Sequence, residues 1–221
     1  MEVVYKIGII LLAYLMGSIP TSVWVGKWFY GIDVRNYGSG NAGATNAMRM
    51  LGYKAGLFVF LIDSLKGFFA VKLLYLTDFY IPETGMFTNF QLILGMAALL
   101  GHIFPVFADF RGGKGVAVLS GVVFALHPYA TLFVLLIWVA SLLITGYVSL
   151  SSMIAGFSFP LLLIFAYRTT NPYLILFAFI LACLMLFTHQ KNIERLIAGQ
   201  EKKFKFRKKG EVKSLKKDEK V

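Results

Sequence analysis

Tyr129-Ala-Thr-Leu-Phe-Val-Leu-Leu-Ile-Trp-Val-Ala-Ser-Leu-Leu-Ile-Thr-Gly-Tyr147 contains no charged side chain. As a helix rising about 1.5 Å per residue, it has the length that about 30 Å of hydrocarbon requires. Similar apolar runs lie on both sides of it, at roughly 3–28, 53–76, 88–107, 114–127, 150–167 and 172–188. The pattern predicts an all-α polytopic membrane protein with seven transmembrane helices. The segment at 114–127 is short, caught between a Gly112-Gly113-Lys114-Gly115 turn and His127-Pro128. It is expected to be a short or broken span, starting at membrane depth where protein or a wet cavity covers it.

Composition agrees. The chain has 221 residues, 58% of them hydrophobic and 15% charged, against about 25% charged in a typical soluble domain. The first 20 residues resemble a signal peptide, but the apolar run continues through Trp24 and Val25. They are read as a retained first span. The formal net charge is +11, and residues 189–221 hold 12 Lys+Arg against 5 Asp+Glu. One-sided basic charge beside a membrane helix follows from the positive-inside rule and anionic headgroups. With no reader motif, nucleic acid is not an expected partner. Arg35 and Arg49 follow the first span, Arg111 and Lys114 precede the fourth, and the tail is basic. The loop between spans two and three carries Asp78 and Glu83 instead. These loops predict an outside N-terminus and a cytoplasmic C-terminus. Residues 1–200 are expected to form one membrane domain, with 201–221 a flexible basic cytoplasmic tail. Cys183 is the single cysteine, which excludes an intrachain disulfide and a cysteine-based metal cluster.

Three polar clusters interrupt the apolar background, all on the predicted cytoplasmic side. The first runs from Gly38-Ser39-Gly40-Asn41 through Gly43-Ala44-Thr45-Asn46 to Arg49. Its glycines permit close approach of a ligand, and Thr45 or Asn46 is placed to cap a short helix. The Ser39 hydroxyl, Asn41, Arg49 and backbone N–H groups suit a phosphate. A flexible loop with a membrane-flanking arginine fits the spacing equally well. The second cluster, Arg111-Gly112-Gly113-Lys114-Gly115, has the look of a phosphate cradle at a helix start. It is not a Walker A loop, since position 108 is Ala and position 115 is Gly. A plain turn with a positive-inside lysine is the alternative. In the third, His189 and Asn192 are three apart, on one face of a helix leaving span seven. A histidine there can bind phosphate or move a proton, or simply flank the membrane.

Asp63 and Lys66 sit one turn apart inside span two, where charges should pair or face a cavity. His102 is expected to bond a carbonyl freed by Pro105. No two histidines have metal-ligand spacing, so neither metal nor cofactor is expected.

Together the clusters carry a resemblance. Asp33-Val34-Arg35-x-x-Gly38-Ser39-Gly40-Asn41-x-Gly43-Ala44-Thr45-Asn46-x-x-Arg49, Gly112-Gly113-Lys114-Gly115-Val116-Ala117 and His189-x-x-Asn192-Ile193-x-Arg195-Leu196-x-x-Gly199-x-Glu201 resemble the bacterial acyl-phosphate:glycerol-3-phosphate acyltransferases, the PlsY family. Asp63-x-x-Lys66-Gly67 and Gly101-His102-x-Phe104-Pro105 look like further landmarks, while Val118 departs from a position where Thr is common. The resemblance covers about Gly17 to Glu201. It implies a monomeric inner-membrane enzyme with its site on the cytoplasmic face. Such an enzyme moves an acyl group from acyl phosphate to the 1-hydroxyl of sn-glycerol 3-phosphate, releasing lysophosphatidic acid and phosphate. It implies that Gly112, Gly113, Lys114 and Gly115 hold glycerol 3-phosphate. Gly38, Ser39, Gly40, Asn41, Gly43, Thr45, Asn46 and Arg49 would serve the acyl phosphate, and His189 and Asn192 would bind or orient the acceptor. An organic-anion transporter would need repeat symmetry and paired broken helices at mid-membrane, and a CDP-alcohol phosphotransferase would need an Asp-rich metal motif. Neither is seen.

Overall fold

The structure is a computed structural model, and residues 1–204 are described. The basic stretch expected to be flexible falls, beyond Phe204, outside the described residues. Helices α1 (Glu2–Ser18), α2 (Thr21–Val25), α3 (Ala44–Leu51), α4 (Tyr53–Lys72), α5 (Gly85–Ile103), α6 (Val116–Leu126), α7 (Pro128–Thr145), α8 (Val148–Leu161), α9 (Pro172–Thr188) and α10 (Gln190–Ile197) account for most of them. All seven apolar runs are helical. Three helical stretches, Gly85–Ala108, Pro128–Thr145 and Val148–Ala166, are long and apolar enough to cross a membrane by themselves. Helix α4 has the length, at 20 residues, but carries Asp63 and Lys66 within it.

The first run is not one continuous helix, which corrects the expected span 3–28. It bends by 40° between α1 and the helical stretch Thr21–Tyr30. Pro20 lacks an N–H and cannot continue the ladder. The break leaves the Ile19 carbonyl for other partners. Helix α6 has 11 residues, about 17 Å of helix, too short to cross about 30 Å of hydrocarbon.

Close-approach glycines set two of the crossings. Gly17 and Gly101 let α1 and α5 meet backbone to backbone, where a Cβ at either would overlap the Ala98 or Tyr14 carbonyl. Gly67 and Gly121 do the same for α4 against α6, facing the Val118 and Ser64 carbonyls. Helices without a hydrophobic drive toward each other in lipid rely on such small-residue contacts. Outward faces are apolar: Leu136, Leu143 and Ile144 on α7 are 64%, 81% and 84% exposed. A belt this bare suits lipid, not water.

Helix starts follow local chemistry. The Thr84, His127 and Asn171 side chains accept first-turn N–H groups of α5, α7 and α9, with Pro128 and Pro172 at the opening positions of the last two. The Asp63–Lys66 pair is buried in α4 at 2.9 Å. Breaking such a pair from one side costs about 3–5 kcal/mol.

Candidate anion site where the three clusters meet

The first cluster folds around Asn46. Its side chain, 2% exposed, accepts the Ser39 N–H at 2.9 Å and donates to the Val34 and Tyr37 carbonyls at 2.8 and 3.2 Å. Both N–H donors of that amide and one lone pair of its oxygen are used within its own loop, so Asn46 braces the loop. Gly38, at φ +65°, lies so close to the Asn46 oxygen that a Cβ would overlap it. The N-cap of α3 is Gly43, not Thr45 or Asn46, and no side chain caps this helix. Its first N–H groups are left for an external acceptor. Asp33 pairs with Arg35 at 2.8 Å, and Arg35 donates onward to the Ala108 carbonyl at 2.8 Å. This lashes the first loop to the strand of chain ahead of the second cluster. The Arg35 guanidinium holds the Asp33 carboxyl down at about 2. Ser22 donates to the Ala42 carbonyl at 2.7 Å.

The second cluster differs from its sequence-based reading. The Gly112 and Gly113 N–H groups do not face outward toward a ligand. They donate to the Ile103 and His102 carbonyls at 3.2 and 3.1 Å, closing the C-terminal end of α5. These two glycines allow a strap to lie flat on a helix end: a Cβ at Gly112 would overlap the His102 carbonyl, and one at Gly113 the His102 ring. Gly115, at φ +85°, turns the chain into α6, which has no side-chain cap. The open donors of this cluster are therefore at the α6 start, beside Lys114. Ala42 of the first loop lines one small crevice with His102, Gly112 and Gly113, so clusters one and two are neighbours.

Lys114 joins the second cluster to the third. Its Nζ donates to Asn192 Oδ1, the Asn192 amide donates to Glu201 Oε1 at 2.7 Å, and Ser149 donates to the same oxygen at 2.6 Å. Phe204 N–H on the Gly146 carbonyl, at 2.7 Å, holds this C-terminal segment across the α7–α8 turn. Burial pulls the Lys114 ammonium down to about 8. Glu201 opposes that shift, and the positive charges of Arg195 and Arg49 add to it. Arg49, in the last turn of α3, has no hydrogen-bond or ion-pair partner among the described residues. It still acts on Lys114, so cations from all three clusters share one neighbourhood.

His189 is 2% exposed, and its Nδ1 lies 2.8 Å from the Met185 carbonyl. A carbonyl only accepts, so Nδ1 carries the proton and Nε2 presents a lone pair. Burial, and next the Lys114 charge, push this ring down to about 4. It is neutral near pH 7 in the unliganded protein, so the positive charge of this neighbourhood comes from Lys114, Arg49 and Arg195. The His102 ring does not bond a freed carbonyl either: its Nδ1 meets Lys66 Nζ at 3.0 Å. Glu201 and Ser149 lie outside the site residues expected from sequence. Glu201 stands within the third motif, but nothing in the spacing marks Ser149.

The family model described as "Glycerol-3-phosphate acyltransferase" matches residues 7–199. A glycerol-3-phosphate acyltransferase of Fusobacterium nucleatum is 43% identical over 89% of this chain and 97% of its own length. One from Chlorobaculum tepidum is 40% identical over 90% and 97%. The crystal structure of PlsY (YgiH), an integral membrane glycerol 3-phosphate acyltransferase, in its glycerol 3-phosphate form is 37% identical. It superposes with a TM-score of 0.81 over 96% of this chain and 98% of that one. The lysophosphatidic acid form of that protein gives a TM-score of 0.77 over 91% and 96%.

Proposed function

This chain belongs to the glycerol-3-phosphate acyltransferase family, and we propose that it transfers a fatty acyl group from acyl phosphate to the 1-hydroxyl of sn-glycerol 3-phosphate. The products are lysophosphatidic acid and inorganic phosphate. The observation that carries this reading is the partly buried Lys114–Asn192–Glu201 chain with Arg49 beside it. It is a cationic cluster, with Lys114, Arg49 and Arg195 set against Glu201. Donor and acceptor each bring a phosphate, and a site for both needs that excess.

In the proposed reaction Lys114 and the open N–H groups at the start of α6 hold the glycerol 3-phosphate phosphate. Arg49, Ser39, Asn41, Thr45 and the uncapped start of α3 hold the acyl phosphate, with Gly38, Gly40 and Gly43 shaping that loop. The 1-hydroxyl oxygen attacks the acyl carbonyl carbon. The carbon–oxygen bond to phosphate then breaks, and phosphate leaves with the electron pair. Donors fixed around the carbonyl stabilise the intermediate oxyanion. His189 Nε2 accepts a hydrogen bond from the attacking hydroxyl and orients it. A ring held at about 4 is a poor resting place for the proton. A phosphate oxygen, with a second pKa near about 6, is the better base. The proton therefore ends on the departing phosphate, and no acyl-enzyme, metal or cofactor is invoked.

We further infer seven membrane-embedded helical segments, with the short α6 starting at membrane depth on the site face and α7 returning the chain to that face. The N-terminus lies outside, the C-terminus in the cytoplasm of a bacterial inner membrane, and one chain carries a whole site. An assay of the purified protein with labelled glycerol 3-phosphate tests the function. Lysophosphatidic acid should form with acyl phosphate and not with acyl-CoA. Product from acyl-CoA alone would refute the donor assignment, and no lipid product with either donor would favour an anion carrier.

A further inference from the structure

A second buried charged cluster lies behind the glycine strap and takes no part in the chemistry above. Asp63 and Lys66 on α4 are 1% and 6% exposed. Lys66 Nζ lies 2.9 Å from Asp63 Oδ1, 2.7 Å from the Ile19 carbonyl and 3.0 Å from His102 Nδ1. Thr21 donates to the same Asp63 oxygen at 2.8 Å. The Ile19 carbonyl is within reach because the helix breaks before Pro20.

An ammonium has three N–H donors and no acceptor, and three groups surround this one. A carboxylate and a carbonyl can only accept. With Lys66 as the ammonium that pairs with Asp63, the third donor requires Nδ1 of His102 to accept. The His102 ring is then neutral with its proton on Nε2. That edge faces the strap, because a Cβ on Gly113 would occupy the same space as Nε2. The backbone of the same residue holds the strap from the other side, since the His102 carbonyl takes the Gly113 N–H at 3.1 Å. The next residue after Gly113 is Lys114.

We propose that Lys66, anchored by Asp63, Thr21 and the Ile19 carbonyl, fixes His102 in its Nε2–H form, and that His102 is thereby a positioning residue setting the register of the Gly112–Gly113 strap and of Lys114. This inference rests on the reading that Lys114 holds the phosphate of glycerol 3-phosphate. A network that served the fold alone would support stability and leave the balance between the two substrates untouched. A positioning network moves the acceptor selectively.

The chain has three histidines, so nitrogen-15 NMR of the intact, histidine-labelled protein can read each ring, with His102→Gln identifying the His102 signal. The Nε2–H tautomer is expected. An Nδ1–H or doubly protonated ring overturns the proposal, whatever reaction the protein performs. Two variants then test the consequence. His102→Gln keeps an acceptor for Lys66 and a donor toward the strap, whereas His102→Leu keeps only bulk. The Leu variant should raise KM for glycerol 3-phosphate about tenfold or more, with KM for acyl phosphate unchanged, and the Gln variant should stay within about threefold of the parent. An unchanged acceptor KM in the Leu variant, an equal rise in both KM values, or a Gln variant no better than Leu contradicts the proposal. Should the Leu variant fail to fold, the tautomer and the Gln variant decide. If the parent protein acylates nothing, the functional reading fails on its own. Calorimetric affinity for glycerol 3-phosphate then replaces KM in the same comparison.

Discussion

Lys114→Met should lower kcat/KM for glycerol 3-phosphate by at least about a thousandfold, or about 4 kcal/mol of transition-state stabilisation. The size follows from where the ammonium sits. Burial has thinned its hydration, pulling it down to about 8, and among the described residues a single neutral amide, Asn192, is its hydrogen-bond partner. A phosphate arriving there meets a cation with less solvation to lose. Charge-assisted contacts in such settings are worth about 2–5 kcal/mol. The fold should tolerate the change. Asn192 keeps its bond to Glu201, Glu201 keeps Ser149, and a buried charge is replaced by an apolar chain of similar length. Steady-state kinetics beside a thermal melt check both halves. Near-normal kinetics in a folded variant would remove Lys114 from the site. The same burial sets a pH limit: Lys114 loses its proton as the pH rises through about 8 in the unliganded protein.

Arg49→Ala carries the second largest expected loss, about a hundredfold or more in kcat/KM, with stability changed by no more than about 0.5 kcal/mol. The two halves have one cause. Arg49 makes no hydrogen bond or ion pair among the described residues, so its removal leaves no orphaned partner. It stands in the last turn of α3, where a cation suits the helix dipole, and that small benefit is all the fold should lose. Arg49→Lys should recover only part of the rate, because an ammonium lacks the planar two-pronged donor set that fits a phosphate. A large drop in melting temperature with Arg49→Ala would show that the guanidinium has a structural partner and undercut its assignment to acyl phosphate.

The apolar runs were legible because lipid demands long stretches without charge, and this demand is visible residue by residue. All seven are helices. Pro20 did signal its break, but the apolar character continues to Val25 and masks it. The clusters were legible as polar anomalies, whereas the direction in which each group points was not. Gly112 and Gly113 offer the sequence pattern of a phosphate cradle, yet the end of α5 lies close enough to take their N–H groups. Asn46 sits among plausible ligand contacts, yet its amide closes its own loop. His189 reads as a cation near neutral pH until burial and the Lys114 charge make it a neutral ring, with Met185 fixing which nitrogen carries the proton. Ser149 carries no local mark, because its role depends on the C-terminal segment folding back over the α7–α8 turn. Residue type reveals capacity; only tertiary contacts reveal which capacity is already used internally.

Whether cations from distant segments act as one site is tested most directly by a double-mutant cycle in kcat/KM. Groups that stabilise one transition state together lose far less in combination than separate effects predict. Arg49→Ala combined with Lys114→Met should fall no more than about tenfold below the worse single variant. If the two losses simply multiply, the cations work independently and the shared site does not exist.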